Sequence, residues 1–367
     1  MQIEPIPNAP FGVRVNGLRC ASVSPEEIGQ LQTALHEHQL LVIPRQNELT
    51  PAEEVMFYRL IYPQAKNVWR DQTENAWERF KVDQGNLAGT YQIPDEPGVL
   101  VLGKGQINHH GLQVTLGGDR TAYGKSKGSQ VLGGGGLQWH IDGPFYEHAP
   151  GLYTQMRCLE APQSEGRWID LANGGDPVWC AAGATAFASG RIAFDLLSAM
   201  DQSQCLGTRV HYFPRPFETT YRLGNTADGL RVADSESEAC FERGAESPGQ
   251  AFNDPLAQVY PLVWRCPYTG KAALMPQPRC LAFLEDAHKE PSVFLGTVES
   301  RLCVQKWMTP AVASDHVYVH PWQPGDLVIW YNHAVWHSAT GSLAPDDRRV
   351  MHLTAFNDRL PPKGAVT

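Results

Sequence analysis

The chain has no two cysteines in Cys-x-x-Cys spacing. Its eight cysteines, Cys20, Cys158, Cys180, Cys205, Cys240, Cys266, Cys280 and Cys303, lie at wide, irregular intervals over 367 residues. A disulfide framework or a zinc ribbon needs tighter patterning. We therefore expect reduced thiols, mostly buried, in an intracellular, cytoplasmic protein. Residues 1–10 lack a basic start and an apolar run, so they do not read as a secretory signal. No apolar stretch reaches the length needed to span a bilayer. Clusters of Lys and Arg are also missing, and the net charge is -9. That balance disfavours nucleic acid and anionic membranes as partners. Neither an internal repeat nor a linker divides the sequence, so 1–367 reads as one domain.

What is present is the material of a folded core: 42% hydrophobic and 19% charged residues. With 28 prolines and 34 glycines, short apolar runs bounded by turns dominate. This pattern predicts a mainly β protein with flanking helices. Alternation over 11–18 predicts a strand. Ser24-Pro25-Glu26-Glu27 and Thr50-Pro51-Ala52-Glu53 predict capped helix starts, with a short buried strand over 40–44 between them. A strand is expected over 99–102, a turn at His109-His110-Gly111 and a lid-like loop over about 115–130. Strands are expected over 151–159 and 168–171, and a helix over 183–198. An acidic surface insertion falls at about 227–253. A hairpin joins 258–264 to 271–275 around Pro267-Tyr268-Thr269-Gly270. A helix is expected over 293–308, then strands over 317–320, 327–331 and 350–356.

Trp139-His140-Ile141-Asp142 follows the glycine run 133–136. On a strand, His140 and Asp142 point to one face. One imidazole and one carboxylate are two of the three ligands of a facial-triad non-haem iron site. His337, 195 residues beyond Asp142 and just past an apolar strand, is the candidate third ligand; His320, His333 and His352 are its rivals. Arg349 begins the next strand, where an antiparallel return would bring it near the metal, and Arg348 is its rival. A facial triad leaves three coordination positions open. A 2-oxo acid takes two as a chelate and O2 the third, while a guanidinium can fork onto the distal carboxylate of the oxo acid.

The residues FGVRVNGL and HEHQLLVIPRQNELTPAEE, the segment WHIDGPFY, and PGDLVIWYNHAVWHSATGSLAPDDRRVMHLT together carry a resemblance. On them the chain resembles the TauD/TfdA family of Fe(II)/2-oxoglutarate-dependent dioxygenases over nearly its whole length. Within it, GATAFASG, YPLVWRCPYTGK and the HVYVHPWQPGDLVIWYNHAVWHS block look most like the fungal xanthine dioxygenases. The resemblance implies a double-stranded β-helix (jelly-roll) core, His140, Asp142 and His337 on Fe(II), and Arg349 rather than Arg348 on 2-oxoglutarate. It also implies O2 as co-substrate, with release of succinate and CO2. Because Asp142 is retained where related halogenases carry a small residue, halogenation is disfavoured.

Three departures bear on substrate. Leu353 stands where the taurine enzymes carry a sulfonate-binding arginine. Leu353 and Ala355 stand where the xanthine enzymes are expected to carry amides. Trp168 falls near a threonine that in the family touches the co-substrate. Leaving purine donors and acceptors unpaired costs affinity. The sequence therefore favours a small amino acid, hydroxylated or oxidatively cyclised, with a purine as the alternative. Leu353, Ala355 and Phe356 are expected to floor its pocket and Phe145 and Tyr146 to wall it. His110 and Gln113 are expected to contact it, and Lys104 to pair a substrate carboxylate. Trp139 and Trp336 are expected to pack in the barrel wall. A homo-oligomer is compatible with the sequence, as is a non-catalytic metal-binding protein on the same scaffold.

Overall fold

The computed structural model describes residues 1–65, 91–117, 139–142, 149–169, 176–212, 257–278, 281–340, 343–356 and 361–365. Strands β1 (Gln2–Pro5) and β2 (Val13–Asn16) pair antiparallel and lead into α1 (Pro25–His38). The Ser24 hydroxyl accepts from Glu27 N–H, and the Glu27 carboxylate accepts from Ser24 N–H. This reciprocal cap satisfies N–H groups that the helix leaves open and contributes about 1 kcal/mol. Gln39 takes the left-handed conformation and turns the chain into β3 (Leu40–Ile43), which is buried throughout. Helix α2 (Pro51–Ile61) starts the same way on Thr50 and Glu53.

Next come β4 (Tyr91–Ile93), β5 (Glu96–His109) and β6 (Leu112–Gly117). β5 is much longer than the expected 99–102, because pairing with β6 carries it to the tight turn at His110 and Gly111, both at positive φ. Residues 115–117, expected to open a loop, complete β6. The remainder of that loop, 118–130, and the acidic stretch 227–253 lie outside the described residues.

β7 (Tyr153–Glu160) is followed by the hairpin β8 (Arg167–Ile169) and β9 (Val178–Cys180). β10 (Thr185–Ser189), α3 (Gly190–Asp195) and α4 (Ala199–Leu206) follow. The single helix expected over 183–198 is thus corrected. Thr185–Ser189 is the central strand of a sheet and is buried at all five positions. A strand covered on both faces shows no alternation, so its apolar run imitates a helical stripe.

A side lobe contains β11 (Thr208–Tyr212), β12 (Val259–Pro261), β13 (Val263–Arg265), β14 (Ala272–Leu274), β15 (Leu281–Asp286) and β16 (Val293–Leu295). The sheet order is β12-β11-β15-β16, and β13–β14 is the hairpin expected around Pro267-Tyr268-Thr269-Gly270. Helix α5 (Thr297–Met308) packs on β15. Its start is corrected from 293 to 297, since Val293–Leu295 pairs with β15 as an edge strand.

The chain closes with β17 (Val317–His320), β18 (Leu327–Tyr331), β19 (Val335–Ala339) and β20 (Arg349–Ala355). Nine strands form one sheet in the order β1-β2-β3-β18-β7-β20-β5-β4, with β6 on β5, and β17-β10-β19 form a second. Met156, Val328, Trp330 and Met351 on the inner face of the large sheet pack with Phe187 of the second. Helices α1 and α2 cover the outer face. Among the described residues, Cys20, Cys158, Cys180, Cys205, Cys266 and Cys303 are free. No described helix is long and apolar enough to cross a membrane.

A polar cluster sits between α2 and the large sheet. Glu54 is 1% exposed and accepts from Arg157 Nε (2.9 Å) and Nη2 (2.5 Å) and from His352 Nδ1 (2.6 Å). Arg157 also donates to the carbonyls of Gln46, Asn47 and Leu49, which fixes the loop before α2. Removing one partner of a buried pair strands the other charge and costs about 3–5 kcal/mol. Glu54→Ala is expected to lower the unfolding free energy by about that amount, read as a shifted denaturant midpoint with an unchanged slope.

Candidate metal centre

His140 and His337 are joined through their backbones. His140 N–H donates to His337 O at 3.1 Å, and His337 N–H to His140 O at 2.9 Å. Such a mutual pair of bonds is the hydrogen-bonded pair of an antiparallel ladder, which sets two side chains next to each other. Here the pair is an isolated bridge; the strand expected over 139–142 is not formed. His337 lies within β19 rather than just past β18. The rings lie 4.1 Å apart between centroids. Asp142, two residues on, brings its Oδ1 to 3.7 Å from His337 Nε2. One ligand atom from each of His140, Asp142 and His337 lies within 4.8 Å of the others.

Burial, then the neighbouring His140, pushes the His337 imidazole down to about 3, with the Asp142 carboxylate opposing. Its lone pair is therefore available at neutral pH, the state a metal needs. Two imidazoles and one carboxylate converging on one point fit a divalent first-row ion. Asp142 is itself held. Thr154 Oγ1 donates to its Oδ2 at 2.9 Å, its N–H donates to Asn332 Oδ1 at 3.0 Å, and its carbonyl accepts from Asn332 Nδ2 at 2.7 Å.

The rival histidines are engaged elsewhere. His333 Nε2 lies 2.9 Å from Pro150 O. His320 lies 2.8 Å from the Tyr318 hydroxyl and 3.2 Å from Asp326. His352 serves Glu54 on the outer face.

Arg349 and His337 lie in different sheets, so the expected antiparallel return does not join them. Gly183 links them instead. Arg349 Nε donates to Gly183 O at 3.1 Å, two residues before β10, and Thr185 of β10 pairs with Ala339 of β19. Gly183 has φ +68, and a Cβ there would meet Arg349 Cδ at 3.0 Å and Pro162 Cγ at 2.7 Å. Gly103 allows the same arginine's backbone to approach, since a Cβ would lie 1.8 Å from Arg349 O. Arg348 points the other way, to Glu160 at 2.8 Å on the surface.

Of the expected substrate residues, Leu353 and Ala355 share the inner face of β20 with Arg349, by strand alternation. Phe356 is corrected: it is 1% exposed and packs on Tyr58 at 4.7 Å, on the α2 side. Lys104 is corrected too, because its ammonium donates to the carbonyls of Leu343 and Ala344 and holds that loop. His110 and Gln113 sit exposed on the β5–β6 hairpin. The neighbouring His109 meets His352, on the face of β20 opposite Leu353. Phe145 and Tyr146 lie outside the described residues. Trp168 is 66% exposed and stands against Trp179 at 5.6 Å, so it does not fill a co-substrate anchor. Trp139 and Trp336 are buried.

Thr154, Asn332 and Gly183 were not singled out from sequence. Thr154 carried a faint signal, being a polar residue inside a strand-forming run. Gly183 carried none, since its partner is 166 residues away.

Two facing sheets with a two-histidine, one-carboxylate cluster between distant strands define a mononuclear metal oxygenase scaffold. The profile described as "Taurine catabolism dioxygenase TauD, TfdA family" matches residues 2–355. The chain belongs to that family, and it is an Fe(II)/2-oxoglutarate-dependent dioxygenase. It is 26% identical to the alpha-ketoglutarate-dependent xanthine dioxygenase xan1 of Schizosaccharomyces pombe, covering 99% of this chain and 90% of that protein. It is 28% identical to the xanthine dioxygenase xan-1 of Neurospora crassa, covering 93% and 81%. Pentalenolactone F synthase of Streptomyces arenae is 22% identical over 99% of this chain and 98% of that protein. A solved taurine dioxygenase from Burkholderia xenovorans shares the fold with a TM-score of 0.61 at 16% identity, covering 99% of this chain and 91% of that one. AAD-2, solved with Mn(II) and N-oxalylglycine, gives 0.59 at 16% identity, covering 99% of both chains.

Thr154→Val keeps the volume and removes the hydroxyl that orients Asp142. It is expected to weaken Co(II) binding by about tenfold, measured by titrating apo-protein and following the visible ligand-field bands.

Proposed function

We propose that the protein oxidises an unactivated C–H bond of a small metabolite, with His140, Asp142 and His337 holding iron and Arg349 holding 2-oxoglutarate. The observation that carries this is the convergence of those three side chains within 4.8 Å on a mutually hydrogen-bonded His140–His337 pair. Bound Fe(II) would supply O2 activation coupled to conversion of 2-oxoglutarate into succinate and CO2. The chain's residues supply the rest. Thr154 and Asn332 keep the Asp142 carboxylate turned to the ion. Gly183 braces the Arg349 guanidinium, which forks onto a carboxylate. Phe187, Trp330, Met351 and Leu353 exclude water from the inner face. We take the facing sheets as the halves of a jelly-roll and the whole chain as one catalytic unit.

For substrate we place a purine-like planar heterocycle first. The expected carboxylate partner of an amino acid, Lys104, is committed to backbone carbonyls. The relatives named above include xanthine dioxygenases at 26% and 28% identity. An amide also lies on the same face of the sheet as Leu353. Gln92 pairs with Leu100, which pairs with Leu353, so all three share one face, and Gln92 Nε2 is buried with no hydrogen-bond partner among the described residues. An amide offers a donor and an acceptor side by side, which matches a heterocycle edge. The small aliphatic amino acid is kept as a second reading because Leu353 and Ala355 leave that face apolar.

The test is oxygen-dependent succinate release with Fe(II) and ascorbate, against xanthine, other purines and aliphatic amino acids. Stimulation by a purine is expected; stimulation by an amino acid with purines inert overturns the substrate reading. No stimulation by any of them, together with no anaerobic charge-transfer band on adding Fe(II) and 2-oxoglutarate, overturns the roles given to His140, Asp142, His337 and Arg349. Arg349→Ala is expected to raise KM for 2-oxoglutarate about 10- to 100-fold, the worth of a lost charge-assisted pair, while Arg348→Ala leaves it unchanged.

A further inference from the structure

Among the described residues, the stretch 139–142 that carries His140 and Asp142 joins no strand ladder beyond one bridge. An extended chain presents the N–H and C=O of alternate residues to opposite edges. His140 and Asp142 bond on one edge, to His337 and to the side chain of Asn332, the residue that follows β18. Ile141 faces the other edge and needs its own acceptor and donor. Both come from one side chain. Ile141 N–H donates to Gln277 Oε1 at 3.3 Å, and Ile141 O accepts from Gln277 Nε2 at 3.1 Å. The amide does for Ile141 what a neighbouring strand residue would do.

Gln277 is 0% exposed and is itself fixed from the side lobe. Its N–H donates to the Tyr212 hydroxyl at 3.1 Å, at the end of β11. The preceding Pro276 O accepts from Trp336 Nε1 at 2.9 Å, one residue before His337. The same two-residue stretch therefore touches both halves of the metal centre. We propose that Gln277 is a positioning residue for the metal. By closing the open edge at Ile141, it holds the backbone extended, so that His140 and Asp142 project to one face. The side lobe is the anchor for this clasp. Gln277 touches neither the ion nor the substrate. The inference rests on reading His140, Asp142 and His337 as ligands. His337→Ala, which must abolish Co(II) binding, tests that reading separately.

Gln277→Leu keeps the volume and leaves Ile141 N–H and C=O without partners. Apo-protein carrying it is expected to bind Co(II) at least about tenfold more weakly, with altered ligand-field bands. Its KM for 2-oxoglutarate at saturating metal is expected to stay at the parent value. A folded variant that binds Co(II) within twofold of parent, with unchanged bands, overturns the proposal. Hydrogen exchange on the parent apo-protein provides a measurement that needs no variant. The Ile141 amide is expected to be protected together with the amides of 208–212. Fast exchange at Ile141 while 208–212 stay protected overturns the proposal equally.

Discussion

The backbone pair between His140 and His337 is the constraint from which the site follows. It brings together residues 197 apart in sequence, at donor–acceptor distances of 3.1 and 2.9 Å. Closing so long a loop carries an entropy cost that grows only slowly with length, but two hydrogen bonds do not offset it. The closure is held by what surrounds it: Phe187 across from His337 in the register of β10, Trp330 at 4.8 Å from its ring, and the core cluster to which both belong. The geometry of the His140, Asp142 and His337 cluster is thus a product of tertiary packing, and it forms only when both sheets are in place.

A second level of organisation is the use of buried polar side chains where a strand ladder is missing. Asn332 and Thr154 hold Asp142, and Glu54 with Arg157 joins α2 to β7. Asn332, Thr154, Glu54 and Arg157 are each at most 2% exposed, so each of their polar atoms left without a partner would carry its full desolvation cost. That is why such positions tolerate little change even when they are remote from any chemistry.

The legible parts of the sequence were those whose signals are local. Ser24 with Glu27 and Thr50 with Glu53 set their helix starts within four residues, and both caps stand in the structure. His140 and Asp142 could be paired by spacing, whereas Arg348 and Arg349 stayed rivals until the family resemblance favoured Arg349. What was misread depends on long-range context. Thr185–Ser189 lost its alternation because both faces are covered. Lys104 looked available until its sheet placed it beside the carbonyls of Leu343 and Ala344, 239 and 240 residues away. Phe356 followed Ala355 in sequence and so, by alternation, faces the opposite side. The amide of Gln92 and the oxygen of Gly183 carried no local signature, since their positions are set by register across the sheet.

Strand β20 shows how one element keeps two tasks apart. Arg349, Met351, Leu353 and Ala355 alternate with Val350, His352 and Thr354, which are all buried. The first set faces the second sheet, where Met351 and Leu353 pack with Phe187. In the second set, His352 reaches Glu54 on α2 at 2.6 Å. With a side-chain period of two, a one-residue slip would exchange the sets, putting Arg349 against α2 and His352 between the two sheets. Pairing on both sides prevents it. β7 and β5 fix the register of β20 at Leu353 with Met156 and Leu100, and Gly103 admits the close approach at Arg349. Changes at His352 therefore act on folding first, because its partners belong to the buried frame that keeps the register.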